Sequence, residues 1–177
     1  MKRGLLPRLV LFLMSVIVAI VVLGAGVAMS NRGFSVSAHS TSSRHTFTVI
    51  TFKKDIHFTA IDLSPAGLSQ GDERVGWSVL DNKQGTQQVG RIDFFECVTD
   101  TAINHTSTIA LKIMYTYSFS NGSIEVEGVS FRPSNTSPPI NDVYAITGGT
   151  GSYEHASGQV HATTQGTVTT TTFSITP

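Results

Sequence analysis

The chain has 177 residues, of which only 14% are charged, with twelve Lys and Arg against twelve Asp and Glu. A formal charge of zero with no basic aromatic stripe excludes the polyanion-binding surface that nucleic acid demands. A single cysteine excludes an internal disulfide framework, and the length suits one domain that is stabilised by its own core behind a short N-terminal element.

The first thirty residues read as that element. Lys2, Arg3 and Arg8 precede an uncharged apolar run, LVLFLMSVIVAIVVLGAGVA, from Leu9 to Ala28, which is the order of an export signal. As a helix this run would span about 30 Å, enough to cross a bilayer. Gly26 and Ala28 also place small residues at the two positions a signal peptidase reads. Two fates are therefore open, cleavage after Ala28 or retention as an N-terminal anchor, and either exports the remainder. The expected location is secreted or extracytoplasmic, with the membrane touched only through this segment. Residues 31–44, NRGFSVSAHSTSSR, are Ser-rich and poor in large apolar groups, and read as a flexible spacer.

From residue 45 to the end the pattern is strand after strand. HTFTVITF (His45 to Phe52) and IHFTAIDL (Ile56 to Leu63) are β-branched and aromatic, and ERVGWSVL (Glu73 to Leu80) ends at the turn-forming DNKQG. VGRIDFFECV (Val89 to Val98) follows. STIALKIMYTYSF (Ser107 to Phe119) then turns at Asn121 and Gly122, the strongest short hairpin signal in the chain. SIEVEGVSF, a loop with Pro133, Pro138 and Pro139, and VYAIT lead to Gly148, Gly149, Thr150 and Gly151. No stretch after Ser30 has a helical period. Eight or nine strands at hairpin spacing predict either a sandwich or a closed barrel.

The glycine cluster admits two readings. A β-run entering GGTG resembles the phosphate-cradling turn of a dinucleotide fold, but that fold needs a helix directly afterwards. Only Ser152 to Ser157 separate the cluster from GQVHATTQGTVTTTTFSITP, which is Thr- and Val-rich and strand-like. Gly148, Gly149 and Gly151 are therefore expected to form a tight structural turn between strands, and no cofactor is expected.

Read so, the turn resembles the GGTG or GGSG turn of the allene oxide cyclase and dirigent families. The block from Phe58 to Asp100 is similar to the family's first long block, with a Gly-Asp opening a strand, a polar turn, a Val-Gly-Arg and a strand carrying a cysteine. MYTYSFSNGSIEVEGVSF (Met114 to Phe131) resembles its aromatic strand, Asn-Gly turn and returning strand. The resemblance covers roughly residues 58–165. It implies an all-β, calycin-like antiparallel barrel of about eight strands over residues 45–177, preceded by one N-terminal hydrophobic helix, and a homotrimer as one expected assembly.

Strand alternation divides the candidate site residues. Arg91, Asp93, Phe95 and Cys97 share one face of their strand, and Gly90, Ile92, Phe94 and Glu96 share the other. The resemblance implies that the cysteine face looks into the lumen. Arg91, Asp93 and Cys97 would then be ligand-binding, with replacement of Arg91 by Ala weakening binding without unfolding the domain. Two blander readings stand beside this one: Cys97 as a buried small apolar residue, and Arg91 with Asp93 as solvated charges at a strand end. Tyr115 and Tyr117 share a face with Leu111, Ile113 and Phe119, where their hydroxyls would orient a ligand or simply pack in the core. Asp62 lies near the position of the cyclases' catalytic acid and is the one catalytic candidate. It is one carbon shorter than their glutamate, and no water-holding Asn follows it. The six histidines show no metal-ligand spacing, so no metal site is expected.

Two function classes follow. The first is a barrel that binds a small hydrophobic or phenolic molecule and directs its cyclisation or coupling by positioning, as an isomerase or a dirigent-like protein. The second is a non-catalytic extracellular carrier or surface interaction barrel. An open pocket lined by Arg91, Asp93 and tyrosine hydroxyls favours the first, and a lumen filled by bulky side chains such as Phe94, Phe95, Tyr115, Tyr117 and Trp77 favours the second.

Overall fold

The computed structural model describes residues 43–101, 108–133 and 139–176. The N-terminal signal or anchor and most of the spacer lie outside the described residues.

Nine strands form one antiparallel sheet: β1 His45–Phe52, β2 Ile56–Ile61, β3 Glu73–Asn82, β4 Gln88–Asp100, β5 Thr108–Phe119, β6 Gly122–Pro133, β7 Ile140–Gly149, β8 Ser157–Gln165 and β9 Val168–Thr176. From β3 to β9 each strand pairs with the next in sequence, and β9 pairs with β1 along its whole length. Closure comes from β1 meeting the end of β3, Val49 opposite Asn82 and Ile50 opposite Asp81. The lower half of β3, Glu73 to Ser78, is occupied instead by β2. A three-residue 3₁₀ turn, Lys53–Asp55, separates β1 from β2, so two consecutive short strands share one long edge. The result is a closed eight-stranded barrel with one extra strand, and closure leaves little free edge.

Inward positions follow the two-residue period of each strand. Leu80, Ile113, Ile124, Val126, Val160 and Phe173 are fully enclosed. One end of the barrel is plugged by aromatic rings. Phe47 stacks on Phe173 with centroids 4.6 Å apart, Tyr117 meets Phe173 edge-on at 4.9 Å, and Phe119 and Tyr153 complete the group. Edge-to-face and offset contacts of this kind add to the burial of large apolar rings.

The β5–β6 hairpin differs from the expected Asn-Gly turn. Phe119 pairs with Gly122, so the loop is Ser120 and Asn121, and Gly122 is already the first residue of β6. The reason lies in the glycine corner. A Cβ on Gly122 would come within 2.0 Å of the Thr150 carbonyl oxygen, and one on Gly151 within 2.4 Å of the Asn121 carbonyl oxygen. The two turns interlock backbone to backbone. Ser152 N–H donates to Asn121 O, and Thr150 N–H to Ser123 O, both at 2.9 Å. No helix follows the corner. A 3₁₀ turn, Gly151–Tyr153, leads into β8, which pairs antiparallel with β7. Gly151 has φ of 61°, a conformation that suits glycine; Gly149 is crowded by the Tyr153 and Ser123 carbonyls, whereas Gly148 faces open space.

Candidate functional site

Above the aromatic plug the barrel encloses a cavity of about 390 Å³. Its rim carries Thr51, Lys53 and Phe58, and its wall includes Phe94, Tyr115, Tyr117 and Tyr144. β4 sends Ile92, Phe94, Glu96 and Val98 inward, and the β4–β5 register sets Phe94 opposite Tyr115 and Ile92 opposite Tyr117. Across the lumen, β7 contributes Tyr144, whose ring lies against Gly128 of β6; a Cβ there would approach that ring to 2.7 Å. The rings of Tyr115 and Tyr144 meet edge-on, 5.7 Å apart.

This reverses the expected orientation of β4. Arg91, Asp93 and Cys97 are on the outer surface and do not line the cavity. Arg91 and Asp93 keep 50% and 46% of their side-chain surface exposed and pair with each other, Arg91 Nε donating to both carboxylate oxygens at 3.0 Å. The guanidinium also lies 4.7 Å from the Trp77 ring centroid, whose ring is stacked with His57. The physical reason is composition. The even-numbered face carries Ile92, Phe94 and Val98, so it goes to the core, while the odd-numbered face carries two charges that solvate and pair with no desolvation cost. Asp62 does not reach the cavity either; its Oδ2 accepts the Gly67 N–H at 3.1 Å and braces its own loop. Tyr115 and Tyr117 both line it.

The charged groups inside are residues the sequence pattern did not single out. Glu96, with only 12% of its side chain exposed, accepts a hydrogen bond from the Tyr115 hydroxyl at 2.6 Å and pairs with Arg74 on the neighbouring strand. Asp142, 9% exposed, is held by Arg132 at 2.9 Å and by the Ser130 hydroxyl, which donates at 3.0 Å. Tyr144 is hydrogen-bonded to both Ser130 and Arg132, and Tyr117 to Thr171. Each buried carboxylate thus has a guanidinium and a hydroxyl, the compensation that a low-dielectric site requires.

Burial is the main cause of the raised tyrosine pKa values. It pushes Tyr144 up to about 12, with Asp142 adding to the effect. Tyr115 is raised well above the ordinary phenol value by burial first and by the Glu96 charge second, and Tyr117 is raised by burial. For Arg132, burial works against the charge, but Asp142 and Tyr144 together more than offset it and the guanidinium stays charged. The lumen therefore presents neutral phenol hydroxyls beside two internally neutralised ion pairs. Such groups donate and accept hydrogen bonds with a ligand's polar end and steady charge that develops on it. Among the described residues no group of three or more His, Cys, Asp or Glu converges as metal ligands would.

Arg74 and Glu96 were legible only as a cross-strand pair, Arg74 opposite Glu96 in a β3–β4 hairpin. Arg132 and Asp142 flank the proline-containing loop and carried no local signal.

No protein-family model matches the chain, and no characterised protein sequence does. Solved structures do match in fold. A pyocyanin demethylase aligns with a TM-score of 0.58 at 20% identity, over 75% of this chain and 100% of that one. A nonspecific heme-binding cyclase of neoabyssomicin biosynthesis aligns at 0.54 and 10% identity, over 76% of this chain and 64% of that one. A pterocarpan synthase dirigent protein aligns at 0.53 and 15% identity, over 75% and 83%. The closed barrel and these likenesses together establish that the chain has the barrel fold that these proteins share, the dirigent protein among them.

Proposed function

We propose that the barrel binds a small, mostly apolar or phenolic molecule and holds it in one conformer, directing its cyclisation or coupling by position. The observation that carries this reading is the open cavity itself. Bulky rings plug one end of the lumen and leave about 390 Å³ free at the other, within the usual range for small-ligand sites. Phe94, Tyr115 and Tyr144 enclose an apolar body, while Glu96, Arg132 and the tyrosine hydroxyls meet a polar end. The structural likeness to a dirigent protein and a cyclase supports the same reading. A holding role needs no cofactor, because rate and stereochemistry come from fixing the reacting geometry.

A non-catalytic carrier is the second reading, and one observation favours it: both cavity carboxylates are already engaged by guanidinium partners, which leaves no free base. Native mass spectrometry of the purified protein, followed by calorimetric titration with simple phenols, tests binding. Retention of a small molecule or saturable phenol binding supports both readings, and neither result at millimolar phenol sinks them. Oxidative coupling of a prochiral phenol with and without the protein then separates them, since only a directing barrel changes the stereoisomer ratio.

Export by the N-terminal segment belongs to this proposal, as does self-association. Met114, Val129, Phe131 and Val143 form an exposed apolar band on the outer face of β5, β6 and β7 that suits a homotrimer. N-terminal sequencing and light scattering check these two points.

A further inference from the structure

A second cavity, of about 360 Å³, adjoins the first. Its walls include Ala60 and Ile61 of β2, Leu68 of the following loop, Val98 of β4, and Ile109 and Leu111 of β5, and the acids Asp62, Asp72 and Glu73 line it as well. Arg74 and Glu96 line both cavities, so their ion pair is the partition between them. The two ion pairs of the lumen differ in how firmly they are held. Arg132 and Asp142 are mostly buried and fixed by Ser130 and Tyr144. Arg74 is 46% exposed, and its guanidinium meets Glu96 and, 5.8 Å away, the exposed ring of Phe58. The Glu96 carboxylate, 12% exposed, is held from both sides, by Arg74 and by the Tyr115 hydroxyl.

The loop that walls the second cavity is prebuilt. Asp72 accepts the Leu63 N–H at 2.8 Å, the Ser69 N–H at 2.7 Å and the Ser69 hydroxyl at 3.0 Å. Gly71 and Val98 then clip the loop to β4 through hydrogen bonds of 2.8 Å. Yet this held loop leaves Leu63 and Leu68 exposed, Leu68 at 63%, which is poor use of apolar surface unless something covers it.

We propose that the second cavity is a ligand subsite that receives an apolar substituent of the molecule whose polar ring sits in the barrel, with the Arg74–Glu96 pair between the two compartments. The inference rests on the ligand-binding reading above. It assigns the ligand class as a phenol-like head with an apolar side arm. A preformed compartment adds affinity because little ordering is needed on binding.

The test is calorimetric titration of the full chain with phenol and its para-ethyl, para-butyl and para-hexyl derivatives, in the wild type, Ala60→Trp and Leu68→Asp. Ala60 and Leu68 are both exposed, so each variant is expected to fold, and thermal melts verify it. In the wild type, affinity should rise about three- to fourfold per added methylene. In Ala60→Trp the increments should vanish while the affinity for phenol itself is unchanged, and Leu68→Asp should reduce them. Increments that survive Ala60→Trp, or a wild-type affinity flat with chain length, would overturn the subsite while leaving the barrel site standing. Absence of binding to phenol and to every derivative would overturn the ligand-binding reading and the subsite with it.

Discussion

The Tyr115 hydroxyl donates to Glu96 Oε1 across 2.6 Å, joining β5 to β4 inside the lumen. The contact places an acidic oxygen and a phenol side by side in a wall that is otherwise aromatic, with Arg74 on the other carboxylate oxygen.

Tyr115→Phe removes that donor and leaves Glu96 with Arg74 alone. The expected loss is about 2 kcal/mol of stability, because the hydrogen bond is to a charged group, and about tenfold in affinity for a phenolic ligand that the hydroxyl contacts. Thermal melts and titration of the same preparation read both. An unchanged affinity would take Tyr115 out of the recognition site and leave it a packing residue.

Asp142→Ala strands the Arg132 guanidinium in a mostly buried position. A cost of about 3 kcal/mol is expected, the lower end of the range for breaking buried pairs because Arg132 keeps some solvent contact. Asp142→Asn retains acceptor geometry for Ser130 and should cost less. Urea midpoints measure the difference, with the slope of the transition unchanged if the native and unfolded ensembles stay the same.

Arg91→Ala should leave ligand affinity within about twofold, since the side chain is outside the barrel, and should cost less than about 1 kcal/mol through its contacts with Asp93 and Trp77. A large affinity loss in this variant would place the ligand on the outer face of β4 and contradict the lumen site.

The Asp72 clip has a defined pH dependence. The backbone N–H groups of Ser69 and Leu63 hold its carboxyl below the ordinary value of 3.8. A carboxyl whose folded pKa lies below its unfolded one contributes stability that is fully present above the unfolded value and fades as pH falls through the folded one. Amide exchange at Leu63 and Ser69, relative to the intrinsic rate at each pH, should therefore stay slow at neutral and mildly acidic pH and accelerate only below 3.8. In Asp72→Asn it should be fast throughout. Acceleration already at neutral pH in the wild type would show that the clip is not what holds the loop.

The fold was readable in the sequence because the strand period and turn chemistry recur at every step. His45–Phe52 matches its strand end to end, and the other runs differ by a few residues at their ends. The closed form was carried by resemblance, since hairpin spacing alone suits a sandwich equally well. The parity of β4 was not readable from the cysteine. Extending the alternation to Val98 adds a third large apolar residue to the Ile92 and Phe94 face, and that imbalance points the right way. The polar site was hidden for another reason. Glu96 sits on an apolar face where a charge is tolerated only because Arg74 and Tyr115 arrive from the two flanking strands, and such a meeting exists only once the sheet is assembled. Arg132 and Asp142 likewise meet across adjacent strands.

The interlocked glycine turns have a consequence for how this vessel is used. With carbonyl oxygens standing where side chains would otherwise be, Gly122 and Gly151 weld the base of the cup, and the ring stack of Phe47, Phe119, Tyr153 and Phe173 seals it from within. On the proposed reading a ligand arrives and departs over the opposite lip, past Lys53 and Phe58. Changes of selectivity can then accumulate around that lip while the base stays as it is, which separates the part of the molecule that keeps it folded from the part that chooses what it holds.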